Sequence, residues 1–168
     1  MSIHLRNLKR DDAAPMLEWM KDSERTCYLR GSYSDFTIED CEKFIFASAY
    51  KISRRDFAIA DENDKYMGFT ALKDIDDDEK TAEISILLMS YAEGKGLAGE
   101  ALRQLMRIGF YGMRLNMLYC YTVNENIKAV RLFEGLGFER KNSGQEGNLL
   151  FYIDRKMYRF LELCYKNL

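Results

Sequence analysis

The sequence predicts one α/β (α+β) domain over residues 1–168, with a central mixed, mostly antiparallel twisted sheet of about seven strands flanked by helices. Three observations predict it. The length of 168 residues suits a single domain with its own core. No repeat, low-complexity tract or Pro/Gly/Ser linker divides the chain. The apolar period also switches along it, giving the order strand, two helices, three-strand meander, helix, strand, helix, two strands.

Ile3 to Arg6 opens as a short strand. Asp12 fits a helix cap, with Pro15 in the first turn, where a missing N–H costs nothing, and Met16, Trp19 and Met20 as the apolar stripe. Thr37-Ile38-Glu39-Asp40 reads as a capping box for a second helix carrying Phe44, Ile45 and Ser48. Three antiparallel strands follow at Asp56 to Ala60, Tyr66 to Lys73 and Thr81 to Met89, with turns at Asp61 to Asp64 and Asp74 to Lys80. The acidic run Asp76 to Glu79 is either a lure for a cation or a solvated hairpin tip. A helix from Gly96 to Tyr111, a strand from Met117 to Val123 and a helix from Asn126 to Leu136 come next. Another strand starts at Phe138; the last is expected from Asn148 to Tyr158, ahead of a short terminal helix.

Hydrophobic residues at 47% and charged residues at 31% describe a soluble globular protein. A net charge of −2 argues against nucleic acid as a partner, which would call for a basic excess. Cys27, Cys41, Cys120 and Cys164 are scattered and His4 is alone of its kind, so no metal site is expected and the thiols read as core filler in a reducing compartment. No signal-peptide run and no stretch near the roughly 20 apolar residues of a membrane span can be found, which predicts a cytoplasmic protein without a membrane partner.

The most informative segment is Glu93-Gly94-Lys95-Gly96-Leu97-Ala98-Gly99, between a strand and a helix. Glycines there permit positive φ, and the helix start offers unpaired N–H groups and the positive dipole end, an anion site suited to a pyrophosphate. Lys95 between the glycines, with no Gly-Lys-Ser/Thr after them, excludes a Walker loop. Downstream, Asn124-Glu125-Asn126 ends a strand, and Ala129, Leu132, Phe133 and Leu136 form a helical stripe that closes at Gly137-Phe138. Capping alone would account for Asn126.

Together these motifs resemble the GNAT superfamily of acetyl-CoA-dependent N-acetyltransferases. The family loop R/Q-x-x-G-x-G/A is met by Glu93, Gly96 and Ala98, and N-x-x-A-x-x-L-Y-E-x-x-G-F by Asn126, Ala129, Leu132, Phe133, Glu134, Gly137 and Phe138. Tyr66 to Leu72, followed by Ala82-Glu83-Ile84, looks most like the branch of ribosomal-protein and amino-sugar acetyltransferases. The resemblance implies acetyl-CoA as cosubstrate and no metal. It places Leu87, Leu88 and Met89 along the pantetheine arm, and Gly94, Lys95, Gly96, Leu97, Ala98 and Gly99 at the pyrophosphate. Asn126 would meet the pantetheine or acetyl end, and Phe133 is carried over with the same cofactor-binding set.

Two positions depart from the family. Glu93 puts a carboxylate beside the pyrophosphate, which predicts weaker affinity that Lys95 partly offsets. Phe133 stands where many members carry a Tyr that protonates the departing thiolate; Phe has no such proton, and packing on the buried helix face is its simpler reading. Alternation sets Glu83, Ser85 and Leu87 on one strand face. Glu83 is the candidate base, and a cross-strand ion pair is its equal alternative. Tyr119 and Tyr121 share a face and offer a hydroxyl, with aromatic packing as the rival reading. The expected acceptor is a small-molecule primary amine (amino sugar, polyamine or similar), with a protein N-terminus as alternative, walled by Tyr28 to Asp35 with Tyr28, Arg30 and Tyr33. A non-catalytic acyl-CoA-binding module is the rival class, and a homodimer is compatible with the fold.

Overall fold

A computed structural model describes residues 2–28, 33–142 and 147–166. Seven strands form one sheet among these residues: β1 (Ile3–Arg6), β2 (Arg55–Asp61), β3 (Tyr66–Asp76), β4 (Thr81–Leu88), β5 (Met117–Val123), β6 (Glu139–Asn142) and β7 (Asn148–Asp154). Their order is β1-β2-β3-β4-β5-β7-β6. Every neighbouring pair runs antiparallel except β4 and β5, which are parallel and need a crossover. That crossover is α4 (Leu97–Arg107), which follows α1 (Ala13–Met20), α2 (Ser23–Thr26) and α3 (Ile38–Ser48) and precedes α5 (Ile127–Gly135) and α6 (Arg155–Lys166).

Alternation along the strands explains the layers. Leu72, Ala82, Ile84, Leu118, Phe151 and Ile153 point to one face, where Leu102, Leu105 and Phe110 close over them together with Phe133 of α5 and Tyr158 of α6. Gln104 of α4 also covers the β1 edge: it accepts the Leu5 N–H at 3.2 Å and donates to Ile3 O at 2.9 Å. On the opposite face α1 and α3 pack Met16, Trp19, Cys41 and Ile45 against Ala58, Phe69 and Ala71. These helices cover only the β2–β3 side of that face. Tyr121 of β5, 43% exposed, shows that the other side is open.

Four local expectations change. Asp12 precedes α1 but makes no side-chain cap bond; its carboxylate turns back to take a bidentate pair from Arg6 at 2.7 and 2.9 Å, because a buried carboxylate gains more from a guanidinium than from one N–H. The final strand stops at Asp154, whose Oδ1 accepts the Met157 N–H at 2.8 Å and starts α6 four residues before Tyr158. The helix after the glycine loop runs as α4 to Arg107 and widens into a π-turn at Ile108–Gly112. Cys41 and Cys120 are core residues, whereas Cys27 and Cys164 are exposed. The Thr37 capping box is present, with Thr37 Oγ1 accepting the Asp40 N–H at 3.3 Å and Asp40 Oδ2 accepting the Thr37 N–H at 3.0 Å.

Candidate active site

Parallel pairing of β4 with β5 ends at Glu83 opposite Tyr119, although β4 continues to Leu88 and β5 to Val123. A wedge therefore opens between Ile84–Leu88 and the end of β5, with Glu83 and Tyr119 at its apex. The strands are parallel, so the helices that follow them start at the same, wide end. In open α/β sheets this is where ligands bind.

The β4 side of the wedge is set by its ladder with β3. Met89 donates its N–H to Met67 O at 2.9 Å, and Gly68 lies opposite Leu88. Alternation then turns the main chain of Ile86 and Leu88 toward the wedge, while Leu87 and Met89 face β3. Of the expected residues Leu87, Leu88 and Met89, Leu88 is the one whose backbone turns toward the wedge.

Gly94 and Gly96 adopt φ of +71° and +75°, and Gly96 is the N-cap of α4 without a side-chain cap bond. A Cβ at either would meet nothing within 4 Å, so these glycines serve the left-handed turn rather than a tight approach. The turn leaves the amides of Leu97, Ala98 and Gly99 in the first turn of α4, where the dipole favours an anion. Lys95 belongs to the same turn. Asn126 caps α5, its Oδ1 accepting the Ala129 N–H at 3.2 Å. The two helix starts are tied by Glu93 Oε2, which takes a 2.8 Å ion pair from Lys128 Nζ in the first turn of α5. Tyr28 reaches the same rim and donates to Glu125 O at 3.4 Å. Tyr33 packs on Phe36 at 5.6 Å between centroids; Arg30 lies outside the described residues.

At the apex, Glu83 is engaged by a lysine. Lys73 Nζ lies 2.9 Å from Glu83 Oε1, and the two carboxylate and ammonium side chains are 18% and 27% exposed. Burial, then Glu83, holds the Tyr119 phenol above its ordinary value, with Asp74, Tyr121 and Asp76 adding to the effect. Tyr119 is therefore a neutral donor at neutral pH. Tyr121 stands edge-on to it at 5.8 Å. Tyr152 pairs with Tyr119 across β7 and donates to Glu139 Oε2 at 2.5 Å, so the open face is lined by phenols and carboxylates. Phe133 lies away from this face: it is 2% exposed and packs on Phe138 at 5.1 Å and Phe151 at 5.8 Å.

Sequence reasoning overlooked Lys73, Lys128 and Tyr152. Lys73 was within reach, because the hairpin that joins β3 to β4 brings it opposite Glu83. No local signal links Lys128 to Glu93, 35 residues away. Among the described residues no group of three or more His, Cys, Asp or Glu could hold a metal ion, and no helix is long and apolar enough to cross a membrane.

Known proteins share this fold. Spermidine N(1)-acetyltransferase of Escherichia coli (strain K12) is 31% identical over 114 residues, which are 67% of this chain and 58% of that relative's length. An uncharacterized N-acetyltransferase p20 of Bacillus licheniformis is 27% identical over 142 residues, 82% of this chain and 79% of its own. A crystal structure of spermidine N-acetyltransferase from Vibrio cholerae, in complex with CoA and spermine, superposes with a TM-score of 0.84 at 22% identity, covering 94% of this chain and 98% of that one. The Acetyltransferase (GNAT) domain profile matches residues 2–139. The chain belongs to the GNAT acetyltransferase domain family.

Proposed function

We propose that the protein transfers the acetyl group of acetyl-CoA directly to a primary amine of a small polycation of the polyamine class. The observation that carries this reading is the wedge: two helix starts at its wide end and a carboxylate, Glu83, at its apex. The α4 amides hold the pyrophosphate, and the pantetheine arm extends β4 in place of the lost β5 partner. This brings the thioester to Glu83 and Tyr119.

Acyl transfer then needs three things. The acceptor ammonium must lose a proton, which Glu83 takes directly or through one water. The amine nitrogen attacks the thioester carbon, whose oxygen takes up negative charge in reach of the Leu88 backbone N–H. The carbon–sulfur bond breaks, CoA leaves as thiolate, and the nitrogen gives up its second proton to that thiolate as the amide forms. Phe133 has no proton to offer that thiolate; the neutral phenol of Tyr119 at the apex can relay one, giving its proton to sulfur and taking the one that leaves nitrogen. A thioester is already activated, so holding it against the amine supplies much of the acceleration.

A cationic acceptor suits the open face, where Glu83 and Glu139 alternate with Tyr119, Tyr121 and Tyr152 and an ammonium finds both carboxylates and aromatic rings. Relatives named as spermidine acetyltransferases support the same class. The four thiols, free of disulfides, suit a cytoplasmic setting. The test is a panel of amines, from spermidine and spermine to amino sugars and a peptide N-terminus, with released CoA as readout. Polyamine-dependent release is the expected result. Acetyl-CoA that raises the melting temperature with no amine ever acetylated would make the protein a binding module instead.

A further inference from the structure

On the Glu83 face of the sheet, where the helix-covered part meets the open part, three strands place three charged side chains in one neighbourhood. Lys73 of β3 lies directly across from Glu83 of β4. Asp56 of β2 pairs with Ala71, so it is diagonal to Lys73 on the same face. Direct neighbours in such a ladder have Cβ atoms about 5 Å apart and diagonal ones roughly 7–8 Å, and a lysine stem reaches both. Lys73 Nζ is committed to Glu83 at 2.9 Å.

Asp56 is the unusual member. Its side chain is fully buried, and Oδ1 receives Arg54 Nε at 2.6 Å. Oδ2 has no hydrogen-bond partner among the described residues. A buried carboxylate oxygen left without a donor is uncommon and calls for a reason. Arg54 is held where it is, its guanidinium over Phe44 at 5.4 Å and Phe69 at 5.9 Å. Lys51 is placed over the Phe44 ring at 6.0 Å. Lys73 is the remaining cation whose charge bears on Asp56.

We propose that Lys73 occupies Glu83 in place of the acceptor's ammonium and is handed to Oδ2 of Asp56 when the acceptor binds. The inference rests on the acetyl-transfer reading and adds a gate to it. The exchange leaves each carboxylate paired, and the one positive charge the acceptor brings is carried by the Asp56 cluster, where the second oxygen offers Lys73 an acceptor. Before it, Lys73 neutralises Glu83 and Asp56 has Arg54 alone. After it, the acceptor's ammonium neutralises Glu83, and Lys73 joins Arg54 on Asp56. Without Asp56, the incoming cation would meet the like charge of a lysine with nowhere to go. Once Lys73 has left, Glu83 faces the acceptor nitrogen and can receive its proton. Asp56 is thus a positioning residue, acting through Lys73.

The test is a double-mutant cycle on the full chain, with spermidine as acceptor. KM and kcat are read from released CoA, and spermidine affinity for the CoA-bound protein from calorimetry. Lys73→Met removes the competitor and should lower the spermidine KM about fivefold, whereas Asp56→Asn should raise it by a similar factor, with the effect concentrated in KM. In the double variant the Asp56 substitution should have no further effect, because no lysine remains to be parked. Independent effects of the two changes, or a KM that rises in Lys73→Met, overturn the exchange. Wild-type protein that releases no CoA with any amine overturns the acetyl-transfer reading itself, and the gate with it. Should Asp56→Asn not fold, Lys73→Met alone still decides the sign.

Discussion

Glu93 Oε2 and Lys128 Nζ lie 2.8 Å apart, so the carboxylate that replaces the family's usual Arg or Gln is turned to the neighbouring helix and neutralised there. A pyrophosphate held at the α4 start, as proposed, would meet a carboxylate already paired with Lys128, a residue the loop itself does not contain. Lys128 is almost fully exposed and Glu93 is half-buried, so the effect is modest. Lys128→Met should raise the acetyl-CoA dissociation constant about 3–5-fold at low salt, and Glu93→Gln should leave it equal or lower; both differences should shrink in high salt. Calorimetric titration at two ionic strengths checks this.

Gly68 sits opposite Leu88, at the wide end of the wedge beyond the stretch of β4 that pairs with β5. A Cβ at Gly68 would overlap Leu87 O and come within 2.9 Å of Leu88 Cα, both main-chain atoms that cannot step aside. Gly68→Ala should therefore cost about 1–3 kcal/mol of stability and weaken acetyl-CoA binding as well, since it displaces the segment facing the pantetheine. Denaturant midpoints and ligand titration on one preparation read both effects.

Restoring the family's tyrosine should not help. Phe133 is enclosed by Phe138 and Phe151, so Phe133→Tyr brings a hydroxyl into an aromatic cluster. The variant should lose about 1–3 kcal/mol of stability, with no gain in kcat. A rise in kcat, measured beside a melting curve, would show that the ring's edge reaches the thiolate.

Asp56 also gives the fold a pH dependence. Burial raises its carboxyl above the ordinary 3.8, against the opposing pull of Arg54, Lys51 and Lys73. A carboxyl raised in the folded state contributes stability that is present in full below its unfolded value and lost as pH rises through the folded one. Relative to Asp56→Asn, the wild-type melting temperature should therefore fall as the pH rises above the ordinary carboxylate range. A wild-type protein that gains on the variant as the pH rises would contradict the sign.

Much of the fold, and the local devices at the helix starts beside the wedge, are legible in the sequence, whereas the pairings between distant elements are not, and the division has a physical basis. The glycine turn before α4, the Thr37–Asp40 box and the Asn126 cap are local devices whose residue types follow from backbone geometry a few positions away. Asp12 and Asp154 show the limit of that reasoning. Each has the chemistry of a cap, but Asp12 is claimed by Arg6, and Asp154 ends a strand that apolar alternation would have continued. Glu83 was recognised as either a base or half of an ion pair. It is paired in the free protein, and the partner emerged only from strand register. Likewise the Glu93–Lys128 pair depends on how α5 lies beside the α4 loop, which no spacing in the chain encodes.

The central claim is that Glu83, at the apex of the wedge, takes the acceptor's proton during acetyl transfer. It is tested most directly by the rate of CoA release from acetyl-CoA and spermidine in wild type and Glu83→Gln. The account predicts a fall in kcat of about 10²–10⁴-fold, with acetyl-CoA affinity kept within roughly a factor of two. Turnover that is unchanged in Glu83→Gln would contradict it.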